Sequence, residues 1–199
     1  GVRDVFTPYR PVSAIELFFG RQAEVIAIVQ QLNTPGQHSL LFGERGVGKS
    51  SLANICAEQL KLLAGNRSIT KRCDSQDSFE TVVEPILKEV GIDLEISSTT
   101  KLHSQGGKAG LKIPCLEGGV DPHRETKHQS RDLLTRAGSP SWVAQRVNKL
   151  EALFLVDEVD VLGASEKHKL AEFVKQLSDG DSKLKVLLVG IAQTAKELT

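Results

Sequence analysis

A chain of 199 residues with 40% apolar and 25% charged side chains carries enough material for one sizeable core, and this composition excludes a disordered or fibrous chain. Lys and Arg number 25, as do Asp and Glu, for a formal net charge of zero; nothing in that balance favours a nucleic-acid or charged-membrane partner, although a local basic face is compatible with it. No apolar run reaches the length of a membrane span and the N-terminus lacks the apolar core of a signal peptide, so no membrane partner is expected and the default compartment is the cytoplasm.

Residues 1–14 contain Pro8 and Pro11 with little periodicity and read as an N-terminal arm lying over a core that occupies 15–199. Leu17-Phe18-Phe19-Gly20-Arg21 then sets two aromatics beside a glycine. Two readings stand here: core packing with Gly20 in a capping turn, or the floor for an adenine ring. From Arg21 to Leu32 the positions Val25, Ile26, Ile28, Val29 and Leu32 fit one face of a helix, which Asn33-Thr34-Pro35-Gly36 ends.

Ser39-Leu40-Leu41-Phe42 predicts a short buried strand, and Ser51 to Leu63 a helix. Between them Gly43-Glu44-Arg45-Gly46-Val47-Gly48-Lys49-Ser50 fits GxxxxGK[ST], in the strand, loop and helix context that the motif requires. Its glycines let successive backbone N–H groups turn inward around a phosphate chain, and the helix N-terminus at Ser50 and Ser51 adds its partial positive charge there. Lys49 would reach the β- and γ-phosphates, and the Ser50 hydroxyl would sit on Mg²⁺.

Ser68 to Cys73 is a candidate second strand, followed by the turn and N-cap cluster Asp74 to Ser78. Phe79, Val82, Val83, Ile86, Leu87 and Val90 recur at helical spacing, with Pro85 among them. A kink is expected there, or a continuous helix that starts only near Glu84. Residues 92–138 are the least structured on composition and read as a flexible insertion, with a hairpin around Gly106-Gly107 compatible with Leu111 and Ile113. Its basic residues, among them Lys101, Lys108, Lys112, Arg124 and Arg131, interleave with Asp121, Glu125 and Asp132; a solvated face is the expected reading, with phosphate or DNA contact as the alternative. His103, His123 and His128 show no ligand-like pairing, and Cys56, Cys73 and Cys115 form no CxxC pair, so reduced thiols are expected and no metal site.

Ser139-Pro140-Ser141 starts a further helix, with Trp142, Val143, Val147 and Leu150 on one face. Leu153-Phe154-Leu155-Val156 is an apolar run too short for a helix and describes a strand buried on both faces of a parallel sheet, with Asp157-Glu158 at its exit. Lys167 to Leu177 is an amphipathic helix carrying Leu170, Phe173, Val174 and Leu177. Leu184 to Ile191 is another buried strand, with Gln193 beyond it.

Strands alternating with helices predict a doubly wound α/β fold. A fifth strand is expected beyond the four named, to accommodate the chain after Cys73. The carboxylates at the end of Leu153 to Val156 fall at the edge of the sheet where the glycine-rich loop must also lie. There Asp157 would hold the hydration shell of Mg²⁺, and Glu158 would orient a water for in-line attack on the γ-phosphate. An Asp-Glu pair after a strand can also be a helix cap; the loop upstream favours catalysis. Asp160 reads as a loop or cap residue.

These stretches carry a family resemblance. Gly43 to Ser50 looks like a Walker A motif, Leu153 to Glu158 like a Walker B of the DE type, and Gln193 like a sensor 1 position. Together they resemble AAA+ ATPases, most closely the initiator-like branch and the signalling ATPases called STAND. Phe19-Gly20-Arg21 with Glu24 resembles the nucleotide-base corner of that branch. The resemblance implies a P-loop NTPase three-layer sandwich around a mainly parallel five-stranded sheet, with ATP or ADP and Mg²⁺ as ligands. It implies Lys49, Glu158 and Gln193 as catalytic residues and Ser50 with Asp157 at the metal. Gln193 departs from the Asn, Ser, Thr or Asp usual at sensor 1. The small C-terminal lid with its sensor 2 arginine is absent, and the chain lacks a starting Met, which suggests a core cut from something longer. No arginine has a finger-like motif around it; Arg136 and Arg146 are the candidates.

Three functions compete on this reading: an ATPase whose cycle drives conformational change, a slow-turnover switch acting through self-association or effector domains outside this stretch, and a DNA-transaction accessory ATPase that the neutral charge does not support. GTPase chemistry is disfavoured by the lack of an NKxD-like motif and of a DxxG acidic motif. Small-molecule kinase chemistry suits Asp157-Glu158 less well than water activation does.

Overall fold

A computed structural model of the chain describes residues 20–64, 67–94 and 132–191. The N-terminal arm, Phe19, most of the 92–138 insertion with its expected hairpin, and Gln193 lie outside them. In chain order the elements are α1 (Gln22–Asn33), β1 (Ser39–Gly43), α2 (Lys49–Ala64), β2 (Arg67–Arg72), α3 (Phe79–Glu89), α4 (Pro140–Val147), β3 (Ala152–Asp157), a 3₁₀ turn (Val159–Val161), α5 (Ala164–Asp179) and β4 (Lys185–Ile191).

The sheet of the described residues has the order β1-β4-β3-β2, with every pair parallel. Because side chains alternate across a strand, the two central strands feed two cores. On β3, Leu153 and Leu155 point to one face and Phe154 and Val156 to the other; on β4, Leu187 and Val189 oppose Val186 and Leu188. The first face packs against α1 and α2 through Val25, Val29, Leu52, Ile55 and Leu60. The second packs against α3, α4 and α5 through Phe79, Ile86, Val143, Leu170 and Phe173. Helices on both sides of a parallel sheet make three layers, as expected.

Among the described residues four strands form this sheet, and the fifth that was expected is not among them. The chain leaves it at Cys73, whose N–H still bonds to the Asp157 carbonyl, because the residues that follow build a helix start instead. Ser78 and Thr81 form a reciprocal capping box, Asp77 accepts from Lys71 and from Thr81 at 2.7 Å each, and the Phe79 N–H donates to Glu166 of α5. These bonds fix the first turn at Phe79 rather than near Glu84. Helix α3 then runs through Pro85, which removes one donor, the partner of the Thr81 carbonyl, while Val82, Val83, Ile86 and Leu87 stay buried.

Three further expectations are adjusted. Ile26 is exposed, since Val25, Val29 and Leu32 at i, i+4 and i+7 already form the buried stripe. Strand β1 is only partly buried, with Leu40 exposed, because it lies at an edge of the described sheet. Helical structure is present before Ser139: residues 132–137 are helical, with Ala137 buried, Leu133 and Leu134 packed on the core, and Asp132 paired to Arg136 at 2.9 Å on the outside.

Candidate nucleotide site

Since all four strands are parallel, β1, β3 and β4 end on the same side, and the register sets Gly43 opposite Ile191. The loop after β1 and the acidic pair after β3 therefore meet across the end of β4. Between them lies a cavity of about 400 Å³. Arg45, Gly46, Gly48, Lys49, Ser50 and Ser51 line one wall, Asp157, Glu158, Asp160 and Val161 the other, and Val189 to Ile191 the floor.

Two glycines of the loop hold left-handed backbone, Gly46 at φ +86° and Gly48 at +78°, a region that side-chain-bearing residues enter at a cost. The floor depends on a third for a different reason. A Cβ on Gly190 would lie 2.7 Å from the Phe42 ring and 2.8 Å from a Val159 methyl, so only glycine lets β4 pass between β1 and the turn after β3. Lys49 folds back on its own loop, donating to the carbonyls of Gly43, at 3.0 Å, and Glu44. Its ammonium is thus held at the loop's mouth by weak neutral acceptors that an anion can replace. Helix α2 begins at Lys49, which turns its unpaired N–H groups and positive dipole end toward the same place.

Opposite, the Glu158 backbone is left-handed, φ 58° and ψ 39°, at the head of the 3₁₀ turn. Its N–H donates to Asp157 Oδ1 at 2.9 Å. Its carboxylate accepts two bonds from Arg72, Nε to Oε2 at 3.0 Å and Nη2 to Oε1 at 2.6 Å. The Arg72 hydrogen bond, with lesser help from the charges of Arg72 and Arg45, holds the Glu158 carboxyl below the usual range, and Glu158 in turn raises Arg72.

The structure thus brings Lys49, Ser50, Ser51, Arg45, Gly46 and Gly48 to one cavity with Asp157 and Glu158. Gly20, in an exposed turn at φ +87°, and Arg21 do not line it. Arg21 reaches the outside of the loop instead, where Nη1 donates to the Val47 carbonyl at 2.7 Å. Val47 itself is 46% exposed. Two site features escaped the sequence reading. Arg72 ends β2 with no motif around it, and Asp160 with Val161 enters the wall because the 3₁₀ turn folds back over the strand ends.

A three-layer parallel α/β sandwich with a GxxxxGK[ST] loop after one strand and an acidic pair after a second, buried strand defines the P-loop class of nucleotide-binding proteins. Within that class the chain belongs to the AAA domain family, whose model matches residues 33–198. None of the curated proteins matches it significantly. Among solved structures it is similar to the Walker-type ATPase PABY2304 of Pyrococcus abyssi, with 19% identity, a TM-score of 0.44 and coverage of 92% of this chain. The chain spans about half the length of that protein, 48% of it. No helix among the described residues is long and apolar enough to cross a membrane.

Proposed function

We propose that this chain is the nucleotide-binding core of an ATPase that binds ATP and hydrolyses it with Mg²⁺, coupling nucleotide state to conformational change. The observation that carries the proposal is the single cavity shared by Lys49, Ser50, Asp157 and Glu158. The Lys49 ammonium exchanges its loop carbonyls for β- and γ-phosphate oxygens, and the N–H groups at the start of α2 receive the phosphates. Ser50 and Asp157 are the residues that would hold Mg²⁺. Their hydroxyl and carboxylate are the hard oxygen donors it prefers, and the described residues contain no cluster of three His, Cys, Asp or Glu side chains able to cage a metal. That donor set fits an ion whose other ligands are phosphates and water. When bound, the ion supplies charge neutralisation on the β- and γ-oxygens. Glu158 orients the attacking water once its carboxylate leaves Arg72.

The Gly20-Arg21 pair with Glu24, ahead of the loop, supports the initiator-like or STAND branch. Phe19 as base contact and Gln193 as sensor 1 remain part of this proposal by resemblance, as do a cytoplasmic location and partners that sense the nucleotide state. A second reading, a slowly turning nucleotide switch, is favoured by the Arg72–Glu158 pair, which engages the proposed catalytic carboxylate.

Calorimetric titration with ATP and a phosphate-release assay test the proposal together. Lys49→Ala is expected to abolish ATP binding. Glu158→Gln is expected to keep ATP affinity and to lower turnover at least about hundredfold, the scale of a general base. Unchanged turnover in Glu158→Gln would remove that residue from the water-activating role.

A further inference from the structure

Gly46 and Gly48 flank Val47 with φ of +86° and +78°. The Val47–Gly48 peptide turns over through paired changes in ψ of Val47 and φ of Gly48, and glycine takes the second at little steric cost. In a trans peptide the C=O and N–H lie on opposite edges, and the described residues contain no cis bond. A flip therefore exchanges a donor for an acceptor at the cavity wall, which Gly48 helps to form. For a polyanionic ligand this reverses the sign of the local dipole.

The carbonyl edge of that peptide is held from outside. Arg21 Nη1 donates to Val47 O at 2.7 Å, while Nε and Nη2 donate to the two Glu24 oxygens at 2.9 and 2.6 Å. Arg21 sits at the N-cap of α1 and Glu24 in its first turn. That helix is anchored through Val25 and Val29 in the same core as Leu52 and Ile55 of α2. The Arg21 side chain is only 28% exposed, and its Nη1 lies 3.7 Å from where a Cβ would stand on Gly48. This fork precedes the segment that the family model matches.

We infer that Arg21, aimed by Glu24, is a positioning residue of the phosphate loop: it holds the Val47 carbonyl outward and so keeps the Gly48 N–H turned to the phosphates. The inference rests on the nucleotide reading above, and it assigns Arg21 to the phosphate end of the ligand rather than to the base corner. Glu24 acts through Arg21, since its two oxygens fix the guanidinium plane and leave Nη1 to the loop.

Displacement of a fluorescent ADP analogue by Mg-ATP and by Mg-tripolyphosphate, which carries phosphates without base or sugar, tests this. A hydrogen bond from a charged donor is worth about a tenfold change, so Arg21→Ala is expected to weaken both ligands about tenfold and equally. Arg21→Lys keeps a donor for Val47 without the fork to Glu24 and should fall between. Glu24→Gln should cost less than Arg21→Ala and nothing further in the Arg21→Ala background. The Gly48 amide resonance of the ligand-free protein gives a readout that general destabilisation does not move: single in the wild type, broadened or doubled in Arg21→Ala. A loss confined to ATP assigns Arg21 to the base and overturns the inference, as does unchanged affinity for both ligands. A wild-type chain that binds neither ligand overturns the nucleotide reading and the inference with it.

Discussion

Glu158 combines a left-handed backbone, which costs a side-chain-bearing residue about 1 kcal/mol or more, with a two-point ion pair to Arg72. The side chains of that pair are 72% and 41% exposed, and exposed pairs contribute no more than about 1 kcal/mol. This magnitude decides how far the pair restrains chemistry. About 1 kcal/mol corresponds to at most about fivefold in rate, so on the proposed mechanism Arg72 would slow the release of Glu158 without locking it, and the contact lends the slow switch only weak support. Arg72→Ala is expected to raise kcat for ATP hydrolysis by about two- to fivefold with KM unchanged, measured as steady-state phosphate release over a range of ATP. A fall in kcat would instead place Arg72 on the reacting phosphates. The meeting of Lys49, Ser50, Asp157 and Glu158 at one cavity was legible in the sequence because each sits in a short contiguous stretch at the end of a recognisable strand. Arg72 was not, because its place beside Glu158 comes from the β2–β3 register, which sets it opposite Asp157.

At the level of elements, the junction of β1 with β4 rests on a side chain as well as on ladder bonds. His38, just ahead of β1, accepts the Val186 N–H on Nδ1 at 3.1 Å, one position before the Ser39–Leu187 pairing begins. That bond requires an unprotonated Nδ1, and the proton on Nε2 is buried without a partner among the described residues. Burial, with a smaller contribution from the Lys185 charge, pushes His38 down to about 4 from its usual 6.5. A folded-state pKa below the unfolded one means that the unfolded chain binds more protons between those values. The stability His38 protects is therefore complete above about pH 6.5 and is lost as pH falls toward 4, by about 1.4 kcal/mol per pH unit and about 3 kcal/mol in all. His38→Gln, whose amide oxygen can still accept from Val186, should show a flatter profile in urea unfolding across that window; parallel profiles would remove His38 as the source. Elements of this kind were legible where a proline at the first turn or helical periodicity marks them, as at Ser139-Pro140 and over Lys167 to Leu177, although α5 already begins at Ala164. They were not where one residue type suggested a break, as at Pro85, or where a charged surface masked Leu133, Leu134 and Ala137.

For the molecule as a whole, the two cores are inseparable because the same central strands build both. Leu155 and Leu187 belong to the face of α1 and α2, and Phe154 and Val186 to the face of α3, α4 and α5. Removing either helix layer bares one side of strands that are buried almost throughout, so the layers should unfold together. The two-sided apolar runs of β3 and β4 made this architecture legible, whereas the strand order, with β4 inserted between β1 and β3, depends on pairing that no local pattern encodes. The cavity consequently sits on the cooperative unit itself and not on a separable loop. A ligand that binds only the folded state adds about 2.7 kcal/mol at a hundred times its dissociation constant, which slows exchange through global opening about hundredfold. Hydrogen exchange with saturating Mg-ADP should therefore protect the slowest amides of α3 and α5, on the opposite face of the sheet, by the same factor as those of α2. Protection confined to α1, α2 and the loop would mean that the two faces of the sheet open independently. The alternation of β3 and β4 side chains would then hold the layers in contact without making them one folding unit.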